Sequence, residues 1–154
     1  MKIIIPEVEL SDQVEKLRIQ LWEFEKSVAD FRIRIPGKES ISTEMWAYYN
    51  DATKKIFGLE EHGEIIGFIY GNIEKSSDYI EEYDKTGHIG WIYIEEAFRG
   101  KWWWKMLIDS MLNWFQSEDI HLIQLGVLTT NLEALEVYKK YGFQSYYTKM
   151  KVIM

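Results

Sequence analysis

The stretch "KIFGLEEHGEIIGFIYGNIE", Lys55 to Glu74, most limits what this chain can become. Two runs rich in Ile and Phe flank His62-Gly63, a pair suited to a tight turn, and glycine punctuates both runs. That pattern reads as a β-hairpin. A chain of 154 residues built around such a hairpin must form a sheet and cover it with the helices that the rest of the sequence supplies. One is plain. After Ser11, a residue type that caps helices, Val14, Leu17, Leu21, Phe24, Val28 and Phe31 recur at alternating three and four spacing and define a single buried stripe. "RIRIPGKES" breaks the pattern, and a second helix is expected over about Thr43 to Lys55, carrying Trp46, Tyr48 and Tyr49.

Lys2 to Ile5 reads as a first strand stopped by Pro6, "KSSDYIEEYDKTG" as a polar, acidic loop and "HIGWIYIEE" as a further strand. A helix is predicted from about Lys101 to Ser117. "IHLIQLGVL" follows as a buried strand, "NLEALEVYKKYG" as a short helix closed by Gly142, and "FQSYYTKMKVIM" as a terminal strand or hairpin. The order β, α, α, β, β, β, α, β, α, β predicts a mixed α/β or α+β sheet flanked by about four helices. No repeat or linker interrupts it, and chains divide into domains only beyond roughly 250 residues, so residues 1–154 are expected to form one domain.

Composition narrows the chemistry. A net charge of -7 repels phosphate backbones and disfavours nucleic-acid binding, whereas a cationic partner or substrate fits. The chain has no cysteine, which removes disulfides, thiolate metal sites and cysteine nucleophiles. His62, His88 and His121 lack zinc-ligand spacing, and no Walker loop, G-x-S-x-G or intact G-x-G-x-x-G is present. "MKIIIPEVEL" turns acidic too early for a signal-peptide core, and no apolar run approaches the roughly 20 residues that span a bilayer. A cytoplasmic protein without metal or membrane is expected. Aromatic residues make up 16% of the chain, which suits either a bulky core or a surface that stacks ligands.

Two stretches carry more specific signals. In "TNLEALEVYKKYGF", Thr130 and Glu133 stand at capping-box spacing and Asn131 is itself a good helix starter. In "WIYIEEAFRGK" a strand leads through a loop into a helix, whose first N–H groups are unpaired and carry the positive end of the helix dipole. Arg99 and Lys101 add charge there, so the loop can receive an anion.

Together these stretches resemble the GNAT superfamily of acyl-CoA-dependent N-acyltransferases, and the element order agrees with that fold along nearly the whole chain. The resemblance implies a mostly antiparallel central sheet. It also implies that Ile92, Tyr93 and Ile94 pair with the pantetheine arm of acetyl-CoA, and that Arg99, Gly100, Lys101, Trp102, Trp103, Trp104 and Lys105 cradle its pyrophosphate. Asn131 matches the family's cofactor-binding Asn. Tyr138 matches its Tyr, which protonates the departing thiolate. The implied reaction is transfer of an acetyl or other acyl group to the primary amine of a small, cationic acceptor, and the resemblance allows for a homodimer.

This sequence departs from the family pattern at two places. Where the loop has small residues it carries Trp102 and Trp104, although glycine serves there by letting backbone approach phosphate. Helical projection extends the apolar face through Trp103 and Trp104 and places Trp102 over the cleft mouth or in solvent. The alternative reading follows from these residues: a GNAT-fold binding or dimerisation module whose cofactor cleft is blocked by Trp102 and Trp104. Second, many relatives hold a carboxylate on the strand before the pantetheine segment, where this chain has Gly90 and Trp91. His88, Glu74 and Glu95 are the substitutes in principle, and none is singled out. Asp78, Glu81, Glu82 and Asp84, beside Tyr79 and Tyr83, form an acidic aromatic loop suited to a cationic acceptor or simply to solvent.

Overall fold

A computed structural model describes residues 1–29, 48–76, 83–100, 102–150 and 152. Among them, five strands form one sheet in the order β1 (Lys2–Ile4), β2 (Lys54–Glu61), β3 (Glu64–Lys75), β4 (Lys85–Ile94), β5 (Leu122–Leu125). The first four are antiparallel to their neighbours. β5 runs parallel to β4, which requires a crossover, and the helix α2 (Trp103–Ser117) makes it. Helix α1 (Ser11–Val28) precedes the hairpin and α3 (Leu132–Lys140) follows β5. The fold is therefore α+β, with a mixed, mostly antiparallel sheet and three helices among the described residues.

The hairpin forms at the expected turn. His62 and Gly63 both take positive φ, at 53° and 87°, which is the twist a two-residue connection between right-handed strands demands. β3 then buries both its faces. Ile66 and Ile69 join Leu59, Ile89, Leu107, Ile108, Met111 and Phe115 in a core under α2. On the opposite face Ile65, Phe68 and Tyr70 meet Val14, Leu17 and Leu21 of α1. A register shift opposite Leu59/Glu60 explains why Ile65 and Phe68, three apart, share a face that simple alternation would deny them. Arg18 adds a second attachment, its buried guanidinium lying 3.8 Å from the ring centroid of Trp91 and 4.5 Å from that of Trp22.

Several boundaries differ from the sequence reading. Ser11 is the first residue of α1 and not its cap, because a 3-10 turn over Val8–Leu10 runs directly into the helix and leaves no break for a cap. The expected helix over Thr43 to Lys55 lies outside the described residues as far as position 47. Tyr48 and Tyr49 are helical, but Lys54 already opens β2, so the helix stops short of Lys55. α2 begins at Trp103, two residues after the expected start. The strand expected from "HIGWIYIEE" starts earlier, at Lys85. β5 covers only Leu122–Leu125 and is half-buried, since it is the edge of the described sheet. Of the expected terminal strand or hairpin, residues 143–150 form neither, and Tyr146, Tyr147 and Met150 are exposed and pair with no described strand; positions 151, 153 and 154 lie outside the described residues. Phe31, Trp46, Asp78, Tyr79, Glu81 and Glu82 lie outside the described residues.

Candidate functional site

One irregularity in β4 creates the site. Trp91 pairs with Tyr70 of β3, but the next pair is Ile89 with Gly71, so Gly90 is an extra residue, a β-bulge. A Cβ at position 90 would lie 2.8 Å from the Tyr70 ring, which leaves room there only for glycine. The bulge lies where β4 and β5 part. Their pairing runs from Thr86 to Ile89 and stops, so beyond it the outer edge of β4 up to Ile94 meets no described strand. Into the gap opens a cavity of about 290 Å³. Its walls are Gly90 to Ile94 from β4, Gly126, Val127 and Leu128 after β5, Leu21, Phe24 and Glu25 from α1, Arg99, Gly100, Trp104 and Ile108 around the start of α2, and Asn131, Glu133, Ala134, Val137 and Tyr138 from α3.

Of the expected site residues, Ile92, Tyr93, Ile94, Arg99, Gly100, Trp104, Asn131 and Tyr138 meet around this one cavity, although 46 positions separate Ile92 from Tyr138. Trp102, Trp103 and Lys105 are not among its walls, and Lys101 lies outside the described residues. Trp102 takes the solvent alternative, at 73% exposure. Trp103 and Trp104 pack half-buried against the core under α2, as the helical projection expects. Trp104 thus walls the cavity while leaving it open. Lys105 is drawn along its helix to Asp109, Nζ to Oδ2 2.7 Å. The phenol of Tyr141 donates to Asp109 Oδ1 at 2.9 Å and so ties the end of α3 to α2.

The position of Tyr138 follows from how its helix ends. Gly142 has φ 93° and donates its N–H to the carbonyl of Lys139, while Phe143 donates to the carbonyl of Tyr138. These two bonds make a Schellman motif, and its usual apolar contact is here the edge-to-face pair of Tyr138 and Phe143, centroids 5.9 Å apart. At the other end Asn131 caps the helix by accepting from the Ala134 N–H at 3.2 Å. The cap is Asn131 and not Thr130. Burial, with a smaller contribution from the charge of Glu25, pushes the Tyr138 phenol up to about 12. It therefore keeps its proton at neutral pH and is a donor.

Arg99 is held rather than loose. Its Nε donates to the Ile94 carbonyl at 3.0 Å, and its guanidinium lies over Phe24 and Tyr93 at 4.8 and 5.3 Å. The three substitute bases from the sequence all lie elsewhere. His88 faces Glu74 across β3 and β4 at 3.7 Å, Glu95 stands 4.0 Å from Lys16, and none of them borders the cavity. Sequence reasoning missed Glu25. Its signal was available: it stands one turn after Leu21 and next to Phe24, on the flank of the apolar stripe. Burial raises its carboxyl above the ordinary range.

The model of the acetyltransferase (GNAT) family matches residues 18–143, most of the chain. The chain belongs to the GNAT acetyltransferase family. Solved structures agree on the fold. The tetramutant of the BH1408 protein from Bacillus halodurans superposes with a TM-score of 0.83 at 16% identity, covering 100% of both chains. The aminoglycoside N-acetyltransferase AAC(6')-Iy in complex with CoA gives 0.82 at 15% identity, over 99% of this chain and 93% of the other. A predicted acetyltransferase with acetyl-CoA from Clostridium acetobutylicum gives 0.82 at 18%, over 99% and 95%. A comparison with curated proteins finds no match. Among the described residues of this GNAT protein, no helix is long and apolar enough to cross a membrane.

Proposed function

We propose that this GNAT protein transfers the acetyl group of acetyl-CoA to a primary amine of a small cationic acceptor. The observation that carries the reading is the cavity beside the bulge, where the free edge of β4 faces Tyr138 across open space. The residues present suit an extended, amide-bearing cosubstrate ending in phosphates. Ile92 to Ile94 offer strand backbone to pantetheine amides, as one strand adds to another. Arg99 and Gly100 stand beside the start of α2, a 15-residue helix whose first turn no side chain caps, so N–H groups and the dipole remain for a pyrophosphate.

Acetyl-CoA supplies an acetyl group activated as a thioester. Backbone N–H groups on the β4 edge polarise its carbonyl, an electrostatic aid that is strongest in a site shielded from water. Tyr138, protonated at neutral pH, holds a proton for the leaving sulfur. An acceptor bearing several ammonium groups is favoured by the net charge of -7, which raises the local concentration of cations. Aminoglycosides, acted on by one of the similar proteins, are one such class and polyamines another.

Calorimetric titration of acetyl-CoA into the native chain tests the reading, with the Trp102→Gly, Trp104→Gly double variant alongside. Micromolar binding by the native chain, followed by thiol release with spermidine or kanamycin, is the expected result. Silence from the native chain with binding by the variant would instead favour the blocked-cleft module, because Trp104 stands in the cavity wall.

A further inference from the structure

The proposed transfer leaves one proton unassigned. Amines are ammonium ions at neutral pH and attack only after losing a proton, yet the strand position that would carry a carboxylate holds Gly90 and Trp91. The cavity is nevertheless not without acids. Its walls contain two carboxylates, Glu25 and Glu133. Glu133 is exposed in the first turn of α3, where water competes for it. Glu25 is half-buried on α1, and Leu21 and Phe24 of its own helix and Tyr138 of α3 line the same cavity.

We propose that Glu25 is the catalytic base, a carboxylate moved from the sheet to α1, which takes the proton of the acceptor ammonium inside the cavity beside Tyr138. The inference rests on the acetyltransferase reading and extends it. Two observations support it besides location. Glu25 and Tyr138 share the cavity wall, and the charge of Glu25 adds, after burial, to the upward shift of the phenol. Burial also raises the Glu25 carboxyl, which narrows its mismatch with an ammonium. The other ionisable groups around the space are Arg99 beyond the end of β4, Tyr93 on β4, and Glu133 and Tyr138 on α3.

The protons balance. Ammonium and thioester become amide, thiol and one free proton as a C–N bond forms and a C–S bond breaks. Glu25 carries the first nitrogen proton to water. Tyr138 gives its proton to sulfur and regains one from the nitrogen, so both side chains end as they began.

The test uses Glu25→Gln, which keeps shape and removes the basic site. Acetyl-CoA affinity by calorimetry should be no weaker than in the native chain, while kcat/KM for spermidine at pH 7 falls about 100-fold. The deficit should shrink as pH rises and the amine deprotonates unaided. A native rate and native pH profile in Glu25→Gln would overturn the role of Glu25 alone. Should the native chain acetylate neither spermidine nor kanamycin, the acetyltransferase reading would fall, and the base with it. A readout without turnover completes the test: carboxyl NMR of 13C-glutamate protein, with Glu25→Gln assigning the resonance. Spermidine should lower the Glu25 midpoint, because a nearby ammonium favours the carboxylate. An unmoved midpoint would show that no amine reaches Glu25.

Discussion

Tyr138 illustrates how surroundings set the state of a side chain. Burial raises the Tyr138 phenol above its ordinary value, so the group is neutral and available as a hydrogen-bond donor across the physiological range. Tyr138→Phe removes the donor and keeps the ring, so we expect kcat to fall by about 100-fold or more with acetyl-CoA affinity unchanged, as measured by thiol release and calorimetry. Asn131 has a demonstrable structural duty as the cap of α3. Its replacement by Ala should lower unfolding free energy by about 1 kcal/mol, read as a lower urea midpoint at constant slope. Glu25 was the residue that sequence alone passed over. A glutamate on the flank of an amphipathic stripe looks like any solvated helix residue until the fold makes it the wall of a cavity.

At the scale of elements, the bulge at Gly90 matters more than any single contact. It follows directly on Ile89, the last residue of β4 paired with β5, and beyond it the outer edge of β4 meets no described strand, leaving backbone that a cosubstrate can occupy. Gly90→Val would push a branched side chain into the Tyr70 ring, 2.8 Å from where Cβ must sit. We expect a stability loss of about 1 to 3 kcal/mol in chemical denaturation, accompanied by weaker acetyl-CoA binding as the strand shifts. The tryptophans read differently once the helix is seen. Trp102, at the residue before α2, faces solvent, and Trp104 leans on Tyr141 edge to face, centroids 5.5 Å apart. Neither occupies the middle of the cavity, because the helix begins late enough to carry their rings to its outside and its wall.

The whole molecule is held by two cores on opposite faces of one sheet. Phe115, on the inner face of α2, is fully buried and packs against the strand that carries Gly87. Truncation to Ala should therefore cost about 3 to 5 kcal/mol, enough to bring the thermal midpoint down sharply in calorimetry. Glu25 makes an opposite prediction. Its carboxyl is raised in the folded chain, so between its ordinary and raised values the folded state holds more protons than the unfolded, and stability falls as pH rises through that window. Glu25→Gln should raise Tm at pH 7.5 and lose that advantage toward pH 4, where the native glutamate is protonated as well. A site residue that weakens the fold where it is charged is the expected signature of function placed in a partly dry cavity.

Much of this was legible beforehand. The stripe of α1, the His62-Gly63 turn, the apolar face of α2 and the glycine end of α3 are local patterns, written in spacing and in residues that tolerate positive φ. Even the gathering of Tyr93, Arg99, Asn131 and Tyr138 could be expected, through the resemblance their motifs carry. What only the tertiary structure decided depends on strands and helices meeting. The bulge at Gly90 exists because β3 sets the register against which β4 has one residue too many, β5 is short where the described sheet ends, and Glu25 is a cavity wall because α1 and α3 border the same space. Local sequence specifies which face of an element is apolar; which polar residue at the edge of that face loses its water is determined by the partner that packs against it.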